Sequence, residues 1–323
     1  MKYLLICCLL LLFSAAHALD ASHWETAFTL DAGYRDAERA LTAANDDLKK
    51  VQADPDAAPL TLVRAQEKLA EAQAGVRQAK IAATVKAFTA VGDVLGGRRK
   101  QSASTTKLAI AEMQLQSALV RQKAGMISDL ELARAKEDQA QAATDLGVAQ
   151  RELRGAEARM KLYLDEAPEK LEEPPTLDIT VLTLGDHPTL LAARHRLNEA
   201  ERALALAQGP DTAPLDLAAR ERDRQSAKDA YKETEQTLTE ALAAARRRYL
   251  AACEAEKHAM EGLKLATTDL QSAQKRHTAG SVSDLAFKQA EMTALTAELT
   301  FTQALVELWQ ARIAVIQATG GAL

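Results

Sequence analysis

Few side chains in this sequence are spaced for chemistry. His23, His187, His195, His258 and His277 show no metal-ligand spacing such as H-E-x-x-H, and no second mature cysteine joins Cys253. Gly280-Ser281-Val282-Ser283 lacks the second glycine of a nucleophile elbow. These residues read as structure, so no catalytic residue, cofactor or metal is expected. A different constellation stands out. Ala124-Gly125-Met126-Ile127-Ser128-Asp129-Leu130 returns 155 positions later as Ala279-Gly280-Ser281-Val282-Ser283-Asp284-Leu285. Glycine ends a helix by taking the left-handed conformation just past its last turn. Serine opens the next by accepting a bond from an orphan backbone N–H. Glu131, three residues after Ser128, completes a capping box. Each copy predicts a tight turn between two antiparallel helices.

Those turns need long helices to carry them, and the composition supplies them. Ala, Leu, Glu, Gln, Lys and Arg dominate, with 4% aromatic residues and eight prolines in 323 residues. The net charge of −5 is spread over interspersed Lys/Arg and Asp/Glu, so no basic field for nucleic acid is present. Arg98-Arg99-Lys100 and Arg246-Arg247-Arg248 are basic clusters on helices, read as solvated faces with a partner contact as the alternative.

Residues 1–18 read as a secretory signal peptide. Lys2 is followed by the apolar run Leu4–Phe13, too short to span a bilayer, and by the small-x-small site Ala16-His17-Ala18. Cys7 and Cys8 leave with it, so no disulfide within the mature chain is expected. A first helical repeat then occupies 19–165, a linker 166–187, and a second helical repeat 188–323. From Leu62 the residues Ala65, Leu69, Ala72, Val76, Ala79 and Ala83 alternate spacings of three and four, the seam of a coiled coil. This helix runs to the Gly125 turn, about 65 residues or ~98 Å if fully helical. Gly92, Gly96 and Gly97 mark either a bend in it or a close neighbour. Past the turn, Ala135, Ala142, Ala149 and Ala156 recur every seven residues, in a helix ending near Leu164.

The linker carries Pro168, Pro174, Pro175 and a possible strand, Leu177–Val181. The second repeat opens after Pro188. Its long helix, from Leu215 to about Thr278, keeps the three–four spacing through Ala227, Tyr231, Thr234, Leu238, Ala241 and Ala245. Ala290, Ala297, Ala304 and Ala311 answer the first alanine stripe, again 155 positions on. This is a tandem duplication. In each half the two short helices together are about as long as the long one, so they can lie end to end beside it. Each half then reads as a narrow rod with no closed core of its own, which must bury its stripe against the other half or another chain.

The arrangement resembles the TolC-like outer-membrane efflux proteins over nearly all the mature chain. The residues that carry this are Arg121-x-x-x-Gly125-x-x-Ser128-x-x-Glu131 with Ala135, and Arg276-x-x-x-Gly280-x-x-Ser283 with Ala290. His187-Pro188-x-Leu190, with Ala192-Ala193 and Ala200-Glu201, is similar to the opening helix of the family repeat. The resemblance implies an all-α protomer of a homotrimeric periplasmic tunnel. It implies tips at the two turns, where Arg121, Gly125, Ser128, Glu131, Arg276, Gly280 and Ser283 dock an adaptor protein partnered with an inner-membrane transporter. One departure is expected. Family members insert a β-hairpin between the short and long helix of each half. Here those segments, Val51–Pro59 and Gly209–Pro214, have nine and six residues, too few for a hairpin of two membrane-crossing strands of ~9–11 residues each. The expectation is a TolC-like helical protein without a transmembrane barrel. A coiled-coil spacer of the cell envelope is the alternative.

Overall fold

The computed structural model describes residues 31–164, 171, 173–174, 177–178, 184, 187–209 and 213–320. The signal peptide expected at 1–18 lies outside them. Six helices make up most of the described chain: α1 (Ala32–Ala53), α2 (Pro59–Lys123), α3 (Asp129–Met160), α4 (Pro188–Ala207), α5 (Pro214–Thr278) and α6 (Asp284–Thr319). No strand occurs among the described residues. The fold class is the expected one, all-α and built from duplicated helical hairpins.

Local chemistry explains the boundaries. Both long helices have 65 residues and begin at a proline, Pro59 or Pro214. Proline suits a first helical position because its missing N–H would be unpaired there anyway. The Asp31 carboxylate caps α1 by accepting the Tyr34 N–H at 3.1 Å. His187 caps α4 through Nδ1, which accepts from the Thr189 N–H at 3.3 Å.

Three expectations shift. α3 stops at Met160 rather than near Leu164. Leu177 and Asp178, the described part of the expected strand, are in no strand; Ile179-Thr180-Val181 lie outside the described residues. The connection from α1 to α2 is shorter than expected. Val51, Gln52 and Ala53 belong to α1 and Pro59 to α2, leaving the five residues Asp54–Ala58. Six residues, Gln208–Ala213, separate α4 from α5. Both connections fall below the ~9–11 residues of one membrane-crossing strand.

The helices distribute over two compact units that cut across the repeats, one drawing on 86–174 and 251–309, the other on 25–85, 175–250 and 310–323.

In the first unit, α3 lies along α2. Ala142, Ala149 and Ala156 are buried and Ala135 half-buried, as a stripe of small residues on a closely packed face would be. Ion pairs Lys100–Glu152 (2.6 Å), Lys107–Asp145 (2.7 Å) and Arg159–Asp93 (3.0 Å) flank it. These are exposed and screened by water, so each contributes little to stability. Arg99 pairs with Glu298 of α6 at 3.0 Å, so two members of the first basic cluster have partners within the chain.

The glycines resolve the alternative left by the sequence. Helix α2 runs through Gly92, Gly96 and Gly97 unbroken. A Cβ at Gly92 would lie 2.8 Å from Val306 Cγ2, and one at Gly97 would lie 3.1 Å from Leu153 Cδ1. Gly96 faces open space. Two of the three glycines therefore mark neighbours passing close. Beside Gly92, the rings of Phe88 and Trp309 meet at 5.2 Å, with Phe88, Val91 and Val94 fully buried.

Helix α5 corrects one detail. Ala227, Tyr231, Thr234 and Leu238 are half-buried as expected, but Ala241 is exposed and Leu242 buried in its place. Two successive steps of four occur here, and a step of four in place of three moves the stripe around the helix. From Leu242 the alternation resumes through Ala245, Tyr249, Ala252, Glu256, Ala259, Leu263, Ala266, Leu270 and Ala273 to His277. Glu256 is 3% exposed within this seam. Its burial, reinforced by the negative charge of Glu173, raises its carboxyl above the ordinary glutamate range.

In the second unit, Ile81 of α2 meets Ile313 and Ile316 of α6, with Val85 and Leu177 packed against them. The Leu177 N–H donates to the Tyr249 hydroxyl at 3.2 Å, and Gln78 Nε2 donates to the Gln317 carbonyl at 3.0 Å. Lys68 joins α2 to Asp47 of α1 at 2.7 Å. A polar ladder ties α2 to α4. Arg202 donates to both Glu67 oxygens (2.7 and 3.1 Å), Asn198 donates to Glu67, Glu71 meets His195 at 2.6 Å, and Arg64 pairs with Glu199. Both units thus combine helices of the two repeats, the lateral burial that a narrow hairpin requires.

Two predictions follow from these contacts. Gly92→Ala should destabilise the protein by about 1–3 kcal/mol through overpacking on Val306. Gly96→Ala should stabilise it by about 0.5–1 kcal/mol through helix propensity. Chemical denaturation of the two variants should move in opposite directions. The Arg202 hydrogen bonds hold the Glu67 carboxyl below its ordinary range. A depressed folded-state value stabilises above the unfolded value, and the benefit fades as pH falls through the folded one. Glu67→Gln should therefore cost about 1–2 kcal/mol at pH 7. The gap from wild type should shrink as the pH drops below the ordinary glutamate value of about 4.3.

Candidate functional site

Both recurring heptapeptides fold as helix–turn–helix tips in the first unit, α2 to α3 and α5 to α6. Their backbones match. At the first tip the Gly125 N–H donates to the Gln122 carbonyl at 2.9 Å, and the Met126 N–H reaches back to the Arg121 carbonyl at 2.8 Å. At the second, the Gly280 N–H donates to His277 at 2.9 Å and the Ser281 N–H to Arg276 at 2.9 Å. This is the Schellman pattern, which satisfies carbonyls orphaned by the end of a helix. Both glycines have φ +70°, a conformation that strains any side chain with a Cβ.

The exits from the turns differ slightly. Ser128 Oγ accepts the Glu131 N–H at 3.2 Å, while Glu131 Oε2 accepts the Ser128 N–H at 2.8 Å, a full capping box. These bonds from Ser128 hold the Glu131 carboxyl below its ordinary range. Ser283 Oγ accepts the Ala286 N–H at 3.2 Å, and alanine there cannot return the bond. Of the seven tip residues singled out by sequence, Gly125, Ser128, Glu131, Gly280 and Ser283 thus shape the turns. Arg121 and Arg276 contribute backbone carbonyls to the turns, and both residues are exposed. Arg276 Nε donates to the Ser272 carbonyl of its own helix at 3.4 Å.

The side chains around the two backbones diverge. Across the first turn, Gln122 Nε2 donates to Asp129 at 3.1 Å. At the equivalent place across the second, His277 Nε2 meets Asp284 at 2.6 Å and its ring stacks on Phe287 at 4.9 Å. The first tip exposes Val120 (69%), Met126 (70%) and Leu130 (62%). Their counterparts are Lys275, Ser281 and the half-buried Leu285. None of these side chains was singled out by sequence. Comparing the two copies position by position exposes the substitutions, but not which side chains remain uncovered.

Among the described residues, no group of three or more His, Cys, Asp or Glu is placed to hold a metal. No described helix is long and apolar enough to cross a membrane.

No protein-family model matches the chain, and no curated protein sequence does either. Solved structures do match. The Campylobacter jejuni CmeC outer membrane channel superposes with a TM-score of 0.64 at 11% identity, over 93% of this chain and 86% of that one. The Vibrio cholerae outer membrane protein VceC gives 0.63 at 16% identity, over 93% and 96%. A membrane protein from Pseudomonas aeruginosa gives 0.63 at 17% identity, over 95% and 92%. At such identities the likeness is one of fold, and the fold of this chain is the TolC-like helical one.

Proposed function

We propose that this chain is a non-catalytic, exported tunnel component of an efflux or secretion system. The observation that carries the reading is the TolC-like helical fold, with its two tips of matching backbone. Two of the structures that share the fold are outer membrane proteins, CmeC being described as a channel. On this reading the repeats 19–165 and 188–323 form one protomer of a homotrimer. The tips dock a periplasmic adaptor, which links the tunnel to an inner-membrane transporter. Arg121 and Arg276 supply docking charges, while Gly125, Ser128, Glu131, Gly280 and Ser283 hold the tips in shape. The protein works in the periplasm or at the outer membrane without a barrel of its own.

The five- and six-residue connections favour one competing reading, a coiled-coil spacer that conducts nothing. Imaging of the purified mature protein by negative-stain microscopy separates the two. A trimeric hollow cylinder is the expected result; a monomer or a closed dimeric rod would reject the tunnel. Reversing the charges of Arg121 and Arg276 together should abolish adaptor crosslinking and leave the helical circular-dichroism signal intact.

A further inference from the structure

The duplication provides an internal control for the tips. Apolar contact between the residue after the left-handed glycine and one in the last helical turn often accompanies a Schellman motif. At the first tip those positions are Met126 and Val120, and both stay about 70% exposed. The second tip closes with the same φ of +70° and the same backbone bonds using Ser281 and Lys275. The turn therefore does not need Val120 or Met126. Neither does the interior, since neither side chain is buried in it. Leu130, on the other arm of the same turn, is likewise exposed. Single exposed apolar residues are ordinary; three around one turn, two of them absent from a twin that closes the same way, are not.

The charges around this patch are unbalanced. Within four residues of Val120, Met126 or Leu130, the cations Arg121, Lys123 and Arg134 stand against Asp129 and Glu131, while farther along α3 Lys136 is followed by Glu137 and Asp138. Both acids are engaged within the tip, Asp129 by the Gln122 amide and Glu131 by Ser128. The cations make no ion pair among the described residues. The surface left for a partner is thus apolar at its centre and positive at its edge.

We infer that the two tips are not equivalent docking sites: the first takes an apolar side chain flanked by carboxylates on a partner protein, through Val120, Met126 and Leu130. The second tip, polar at its apex and braced by the His277–Asp284 contact and the Phe287 ring, supplies shape and charge but no apolar contact. This inference rests on the adaptor-docking reading and specifies the chemistry of its contact. An apolar centre excluded from water, with charges at the rim, is the usual anatomy of a specific protein interface.

The test uses the full mature protein and a fluorescent synthetic helical hairpin closed by a disulfide. Its turn carries one leucine between two glutamates. Fluorescence anisotropy should show binding at least tenfold tighter than to the same hairpin with serine in place of leucine. Val120→Lys with Met126→Ser copies the second tip's residues onto the first, so the turn keeps residues already known to close it. It should weaken binding at least tenfold, although the added lysine favours an acidic probe. Lys275→Ala with Ser281→Ala should change binding less than twofold. Absence of binding by the wild-type protein, wild-type affinity in the first double variant, or an equal loss in the second would overturn the inference. If the hollow trimer forms and one of these results appears, the inference falls and the tunnel reading stands. If no hollow trimer forms, the tunnel reading falls.

Discussion

Where α2 passes α6, a side chain has been removed to let the helices meet. Any residue with a Cβ at Gly92 would place it 2.8 Å from Val306. The approach brings Phe88 onto Trp309 and leaves Phe88, Val91 and Val94 out of water. The two partners belong to different repeats. A hairpin of two helices has one apolar stripe and no interior. It becomes stable by laying that stripe against something else, and here the first repeat lies against the second. The contact recurs in other chemistry in the second unit, where Ile81 meets Ile313 and Ile316 and the Glu67–Arg202 ladder joins α2 to α4.

This constraint explains the composition. Close approach favours Gly and Ala, and three of the six buried positions of α3 are alanine. Small side chains bury little area each, and the burial must be repeated over long helices to add up. Charged pairs such as Lys100–Glu152 and Lys107–Asp145 then line the edges of the stripe, where they solubilise more than they stabilise. Glu256 is the exception, a carboxyl set within the stripe itself. Gln101, its counterpart in the first repeat, carries no charge.

Duplication has held the backbone of the tips constant while their side chains diverged. Gly125 and Gly280 share a dihedral angle, and the same two carbonyl positions accept the same two N–H groups. Over this frame Gln122 has its counterpart in His277, Met126 in Ser281, and Val120 in Lys275. Backbone geometry restricts the glycines and the capping serines, whereas the outward-facing positions were free to differ. Divergence on a shared frame is how one chain can present two unlike tips.

Much of this protein was legible from residue order, because much of it is local. The α4 start at Pro188, the left-handed glycines and the Ser128–Glu131 box all depend on bonds within a few residues, and all lie where turn chemistry put them, whereas the long helices take in Pro59 and Pro214, both expected in the connecting segments. What distant parts of the chain cover is not local. The sequence could not tell whether Gly92, Gly96 and Gly97 bend a helix or receive a neighbour, because the answer lies in Val306 and Leu153. It placed Ala241 in the seam where Leu242 belongs, because a small slip in helical phase shows only when the partner helix is present. It marked Arg121 and Arg276 at the tips but not the bare apolar trio beside one of them. Exposure belongs to the packed chain, not to the residue: Leu130 is exposed and its counterpart Leu285 half-buried, although both sit at the same place in the same turn.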